Sequence, residues 1–184
     1  MRTNLIIVDD FYSNPDGVRS FALGQEFARI DPYPGLRTKS FLNEGTKDTI
    51  QQLLYNAGGI VKNWNEKDGL SGSFELATAN DRSWIHTDHF KTTWAGLIYL
   101  TPNAPLSGGT GIFRHKRTGA TRANQLESYE SQDMTKWELV DVVGNRYNRL
   151  VLYHSDLFHN SLDYFGYSLE TGRLFQLFFI ESEY

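Results

Sequence analysis

Residues 81–102 read DRSWIHTDHFKTTWAGLIYLTP, and the change of character halfway along them decides the fold. From Thr92 to Thr101 the side chains are β-branched, aromatic or apolar over the length of one strand, and Pro102 closes the run. The residues just before are polar and carry His86 and Asp88, two positions apart. In an extended chain every second side chain leaves on the same face, so an imidazole and a carboxylate point one way at the mouth of an apolar strand. His89 has the opposite parity and is expected on the surface or behind the two forward-facing side chains.

Working outward, similar short runs recur downstream as SGSFELATA, TGIFRH, WELVDVV, NRLVLYH and RLFQLFFI, divided by Gly, Asn, Pro and Asp. Such spacing describes an antiparallel sandwich or barrel. Upstream, NLIIVDDF reads as an opening strand. NPDGVRSFALGQEF reads as a helix with Asn14 as N-cap and Pro15 in its first turn, and GTKDTIQQLLYNAGGI as a second helix capped at Thr46 and stopped by Gly58-Gly59. The fold class is therefore α+β and mainly β, a single domain with a strand and supporting helices over 1–69 and a β core over 70–184. The polar stretch Lys116–Lys136 has little strand signal and is expected to be a long loop, or a short helix near QLESYES.

Bulk properties narrow the chemistry. The 184 residues suit one domain with its own core, and a net charge of −4 supplies no basic field for nucleic acid or anionic membranes. With no cysteine, any metal must be held by His and carboxylates. The apolar run Leu5–Val8 is too short for a signal-peptide core or a membrane span, so a cytoplasmic protein is expected.

His-x-Asp alone is weak evidence, because a catalytic non-haem iron needs two His and one carboxylate on one face of an octahedron. The third ligand should come from a distant strand. Of the five His, two late ones compete, His154 and His159, both in NRLVLYHSDLFHNSLDYF. Beyond them Arg173 opens a strand that is apolar on both faces apart from Gln176. A guanidinium buried there needs an anion, and its planar fork matches a carboxylate. That partner is either a ligand or a core carboxylate such as Asp163.

Taken in order, HTD (86–88), LIYLT (97–101), SGGTGIF (107–113), His159 and Arg173 resemble the Fe(II)/2-oxoglutarate-dependent oxygenase superfamily, nearest its prolyl 4-hydroxylase-like branch, over about Phe74 to Ile180. The resemblance implies a double-stranded β-helix, or jelly roll, in which His86, Asp88 and His159 hold Fe(II). It implies 2-oxoglutarate and O2 as cosubstrates, with Arg173 on the remote carboxylate of 2-oxoglutarate and Tyr99 adding a hydroxyl. His154 then becomes a hydrogen-bonded neighbour. The reaction implied is hydroxylation of a C–H bond with release of succinate and CO2. Trp84 and Phe90 flank the ligands as candidate pocket walls, and Arg114 belongs to a basic cluster that would face a substrate at the entrance. The expected prime substrate is a peptidyl-proline or a small metabolite. Three departures from the family pattern stand out. Thr101 replaces the usual Asn, Arg173 lies fourteen positions beyond His159, and FELATAN lacks a Tyr that many prolyl hydroxylases carry. Two rival readings use the same residues: a noncatalytic metal- or ligand-binding jelly-roll module, and a zinc hydrolase.

Overall fold

In the computed structural model, which describes residues 3–57, 59–66, 70–89, 92–126 and 131–183, the chain opens with β1 (Leu5–Val8), α1 (Pro15–Leu23), β2 (Leu36–Ser40), α2 (Glu44–Asn56) and β3 (Ile60–Asn63). The remainder is β4 (Ser73–Ala77), β5 (Trp94–Tyr99), β6 (Thr110–His115), β7 (Trp137–Val143), β8 (Leu150–His154), β9 (His159–Ser161) and β10 (Arg173–Glu183). A large antiparallel sheet runs β1-β8-β5-β10-β4-β2, with β3 paired to the far end of β10, and a small one runs β7-β6-β9. Three strands from the first 69 residues thus lie in the large sheet itself. No helix among the described residues is long and apolar enough to cross a membrane.

The two faces of the large sheet do different work, and strand parity assigns them. Phe74 and Leu76 of β4, Trp94 and Ile98 of β5, and Leu174 and Phe178 of β10 pack with Ile50 and Leu54 of α2 and Ala22 of α1. The alternate residues, among them Leu97, Tyr99, Tyr153, Phe175 and Leu177, face the small sheet and meet Ile112 and Val143. The central strands are consequently buried on both faces, and β4, β5 and β8 are buried along their whole length. A third cluster, Ile85, Phe113, Ala120, Trp137 and Phe158, closes the outer side of the small sheet.

The first helix follows its sequence signals: Asn14 accepts a hydrogen bond from the Gly17 N–H and Pro15 lies in the first turn. The second has its cap three residues before the expected one. Asn43, extended at φ −118° and ψ 161°, accepts from the Thr46 N–H, so Asn43 is the cap and Thr46 a buried residue of the first turn. Gly58 lies outside the described residues, and Gly59 donates its N–H to the Leu54 carbonyl. In the 116–136 stretch the described part holds two short 3-10 turns, Ala123–Gln125 and Met134–Lys136. The QLESYES helix falls largely on residues 127–130, outside the described residues.

The glycines of SGGTG allow close approach, as their type predicts. A Cβ on Gly109 would stand 2.0 Å from the Val143 carbonyl oxygen, and one on Gly108 2.7 Å from the Phe165 ring. Gly108 in turn presents its carbonyl to Arg173, which ties this turn to the site.

A candidate metal centre and its cavity

His86 and His159 are brought together by backbone pairing. An isolated antiparallel bridge joins them, with the His86 N–H donating to the His159 carbonyl at 3.0 Å and the His159 N–H returning to the His86 carbonyl at 2.9 Å. Their rings lie 4.4 Å apart between centroids. Asp88 is held by its own N–H, which donates to the Ser155 carbonyl at 2.7 Å. Its carboxylate oxygens lie 3.7 Å from His86 Nε2 and 3.1 Å from His159 Nε2.

The opposite ring nitrogens are already committed. His86 Nδ1 meets the Trp84 carbonyl at 2.8 Å and His159 Nδ1 meets the Leu157 carbonyl at 2.9 Å. A carbonyl can only accept, so Nδ1 carries the hydrogen in both rings and a neutral imidazole turns its Nε2 lone pair toward Asp88. In the neutral form two lone pairs and a carboxylate converge, and a cation resolves that arrangement. The three ligand atoms lie within 4.8 Å of one another. Burial and the neighbouring His159 hold the His86 pKa below the usual imidazole range, which favours the neutral form that binds metal. For Asp88, burial acts upward, yet the charge that His159 or His86 carries when protonated, together with Arg37, brings its carboxyl below the usual range.

A cavity of about 480 Å³ opens beside these three side chains. Tyr153, whose ring lies 4.5 Å from that of His159, and Thr110 line it, Phe175, Leu177 and Phe179 of β10 form an apolar wall, and Trp84 and Tyr33 complete this part of the lining. Trp84, a candidate pocket wall, is among the lining residues. Phe90 lies outside the described residues. Arg114 is exposed and spends its guanidinium on Glu138 of the adjacent strand, with Nε at 3.0 Å, a cross-strand ion pair that is not part of the cavity lining. His89 is exposed and bonds the Thr87 hydroxyl at 2.7 Å. His154 turns to the other face of the sheet, where its ring lies 4.5 Å from that of Trp94.

Arg173 is fully buried. Its Nε donates to the Gly108 carbonyl at 2.9 Å, while neither Nη finds an acceptor among the described residues. Asp163, the alternative partner, is exposed. The guanidinium lies 4.4 Å from the Phe175 ring centroid and 5.4 Å from that of Tyr99. The Tyr99 hydroxyl is bonded to Thr110 Oγ1 at 2.8 Å. Arg173 and Tyr99 do not line the cavity directly; Thr110 and Phe175, which touch them, do.

Two charged residues of the cavity escape sequence reasoning. Arg37 and Glu75 stand opposite each other on β2 and β4 and form a buried ion pair, Nη2 to Oε2 at 2.6 Å. Arg37 also lies over the Tyr33 ring at 4.3 Å. Burial pushes the Glu75 carboxyl up to about 7, against the pull of Arg37 and Arg173. The available signal was the lone carboxylate in the apolar run SFELA, since a buried charge requires a partner.

Residues 1–128 match the model of a family described as a family of unknown function, DUF6445. No curated protein matches the chain. Among solved structures, the chain is similar to a prolyl hydroxylase from Trichoplax adhaerens in complex with a hypoxia inducible factor peptide fragment. That likeness has a TM-score of 0.60 at 12% identity, over 97% of this chain and 84% of that one. HygX from Streptomyces hygroscopicus, with nickel and 2-oxoglutarate bound, aligns with a TM-score of 0.55 at 10% identity, over 96% and 82% of the two chains. SnoK, a non-heme alpha ketoglutarate dependent carbocyclase from nogalamycin biosynthesis, gives 0.56 at 13% identity, over 100% and 82%. At these identities the likeness establishes a shared fold.

Proposed function

The chain belongs to the DUF6445 family, and we propose that it is a non-haem Fe(II)- and 2-oxoglutarate-dependent dioxygenase on a double-stranded β-helix, which hydroxylates a C–H bond with release of succinate and CO2. The observation that carries this reading is the convergence of His86, Asp88 and His159 with both Nε2 atoms directed at one carboxylate. Two imidazoles and one carboxylate are the facial set that leaves coordination positions open, unlike the four-ligand set of a structural zinc site. Fe(II) held there, with 2-oxoglutarate and O2, would supply the oxidising chemistry.

The chain's own residues provide position and charge. The carbonyls of Trp84 and Leu157 fix the two rings, and Asp88 brings the negative charge that offsets a divalent cation. The two unpartnered Nη groups of Arg173 suit a carboxylate taken in a fork. Tyr99 adds its hydroxyl through Thr110, the polar point in the wall between anchor and cavity. The apolar wall of β10 keeps water from the reacting carbon. The prime substrate is a peptidyl-proline or a small metabolite. The Trichoplax protein holds a peptide fragment and HygX holds hygromycin B, so this fold receives both kinds of ligand. We place the enzyme in the cytoplasm.

The test is cosubstrate turnover. Protein supplied with Fe(II), 2-oxoglutarate and O2 should release succinate slowly even without a prime substrate, and His159→Ala should release none. Metal binding without succinate would leave the binding-module or zinc-hydrolase reading and overturn this one.

A further inference from the structure

Tyr153 is 5% exposed and lines the cavity, yet among the described residues no hydrogen bond reaches its hydroxyl. The neighbouring phenols differ. Tyr99, behind the wall, bonds Thr110 Oγ1 at 2.8 Å, and Tyr164 has the Ser83 and Ser161 side chains beside its hydroxyl. The Tyr153 oxygen is not sealed in either, since the polar atoms that are both sealed and unpartnered belong to other residues. It therefore opens to the cavity. A buried polar group without a protein partner is uncommon and calls for one from outside.

The fold fixes where this hydroxyl is offered. Tyr153 stands on β8 between Ala95 of β5 and Leu5 of β1, on the sheet face that looks toward the small sheet. Its ring lies 4.5 Å from that of His159, tilted by 48°, which sets the phenol beside the metal triad. Burial first, and then the Asp88 carboxylate, push its pKa well above the usual tyrosine range, while Arg173 pulls against them. The hydroxyl thus lies within electrostatic reach of both the triad and the anchor. Under the oxygenase reading, on which this inference rests, 2-oxoglutarate spans these two points with a carboxylate at each end. We infer that Tyr153 is a cosubstrate-binding residue, whose hydroxyl donates a hydrogen bond to the carboxylate that 2-oxoglutarate places beside the triad. An anionic acceptor gives a phenol its strongest hydrogen bond, and the contact with the His159 ring holds the donor in place before the ligand arrives.

Protein loaded with Zn(II), a divalent ion without redox chemistry, is titrated by calorimetry with 2-oxoglutarate and, separately, with levulinate. Levulinate keeps the keto group and the far carboxylate and carries a methyl group in place of the near one. Tyr153→Phe keeps the ring and removes only the hydroxyl. It should weaken 2-oxoglutarate about tenfold and leave levulinate unchanged, and Zn(II) should bind both proteins alike. In the wild-type protein the 13C-labelled Tyr153 Cζ resonance, which reports on the hydroxyl, should move with 2-oxoglutarate and stay still with levulinate. That measurement decides if the variant does not fold. Equal affinity of the two proteins for 2-oxoglutarate, an equal loss for levulinate, or an unmoved Cζ resonance would overturn the assignment and leave the oxygenase reading standing. No binding of 2-oxoglutarate to the wild-type protein would overturn the oxygenase reading and the assignment with it.

Discussion

A buried arginine with free N–H groups is a cost that the empty fold bears for its ligand. Neither Nη of Arg173 has an acceptor among the described residues, and each orphaned donor in an apolar surround costs about 1–3 kcal/mol. Arg173→Met keeps most of the volume and removes the orphaned donors, so it should stabilise the ligand-free protein by about 1–3 kcal/mol in urea unfolding. The same change should weaken 2-oxoglutarate binding by about 2–4 kcal/mol, roughly a hundredfold. A variant that is both less stable and unchanged in 2-oxoglutarate affinity would assign Arg173 to packing. Glu75 supplies a second test at this scale, through pH. Its carboxyl is pushed up from 4.5 to about 7, chiefly by burial. Below about pH 4.5 it is protonated in both folded and unfolded chains. Between there and about pH 7 the unfolded chain releases the proton and the folded one keeps it, so the folded state loses stability as pH rises through this window. The loss totals on the order of 3 kcal/mol and is complete above about pH 7. Glu75→Gln lacks this titration, so wild type should fall relative to the variant between pH 5 and pH 8 when both are unfolded in urea.

Among the elements, legibility tracked burial. β5, β6, β8 and β10 were visible as short β-branched or aromatic runs between Gly, Asn and Pro, because most of their residues serve a core, whereas β7 was visible by its residue types although its five middle residues are exposed. β2 (LRTKS), β3 (IVKN) and β9 (HNS) are short and largely polar and carry no apolar alternation. Backbone pairing with a stronger neighbour makes them strands. Two of the three deliver site residues, Arg37 from β2 and His159 from β9, and local pattern fails where a residue is chosen for chemistry rather than packing. The convergence of His86, Asp88 and His159 was legible because His-x-Asp and a late His are unusual residue types in this context. The ion pair of Arg37 was not, because its partner lies on a strand whose register no local signal reveals. The SGGTG turn joins fold and site through the Gly108 carbonyl, which accepts from Arg173 Nε and from Asn145 Nδ2 at 3.1 Å. Gly109→Ala would drive a Cβ to 2.0 Å from the Val143 carbonyl oxygen, so β6 and β7 must part locally. A loss of about 2–4 kcal/mol in stability is expected, together with a raised 2-oxoglutarate KM, because the carbonyl that orients Arg173 moves. A stability loss with an unchanged KM would uncouple the turn from the anchor.

For the molecule as a whole, the site lies at a seam. His86 and Asp88 belong to an irregular segment leading into β5 of the large sheet, His159 belongs to β9 of the small one, and their direct backbone tie is a single bridge with the Asp88 amide beside it. The apolar clusters, by contrast, bury whole strands and hold the rest of both sheets without help from any ion. A cation joining the three side chains should therefore tighten the seam far more than the cores. At an ion concentration of about a hundred times Kd, the stabilisation is about 2.7 kcal/mol. That corresponds to a rise of about 5–10 °C in Tm for a domain of this size. Ni(II), a divalent ion that imidazole and carboxylate ligands suit, is the ion to use, and hydrogen exchange locates its effect. The amides of His86, Asp88 and His159, which donate to the carbonyls of His159, Ser155 and His86, should gain protection. Those in the middle of β5 and β10, which are buried on both faces and should exchange only through global opening, should change only as much as the global stability does. Asp88→Asn should abolish both effects. Ni(II) that raises Tm while leaving the seam amides as they were would be bound elsewhere, and the convergence of these three side chains would then have to be explained without a metal.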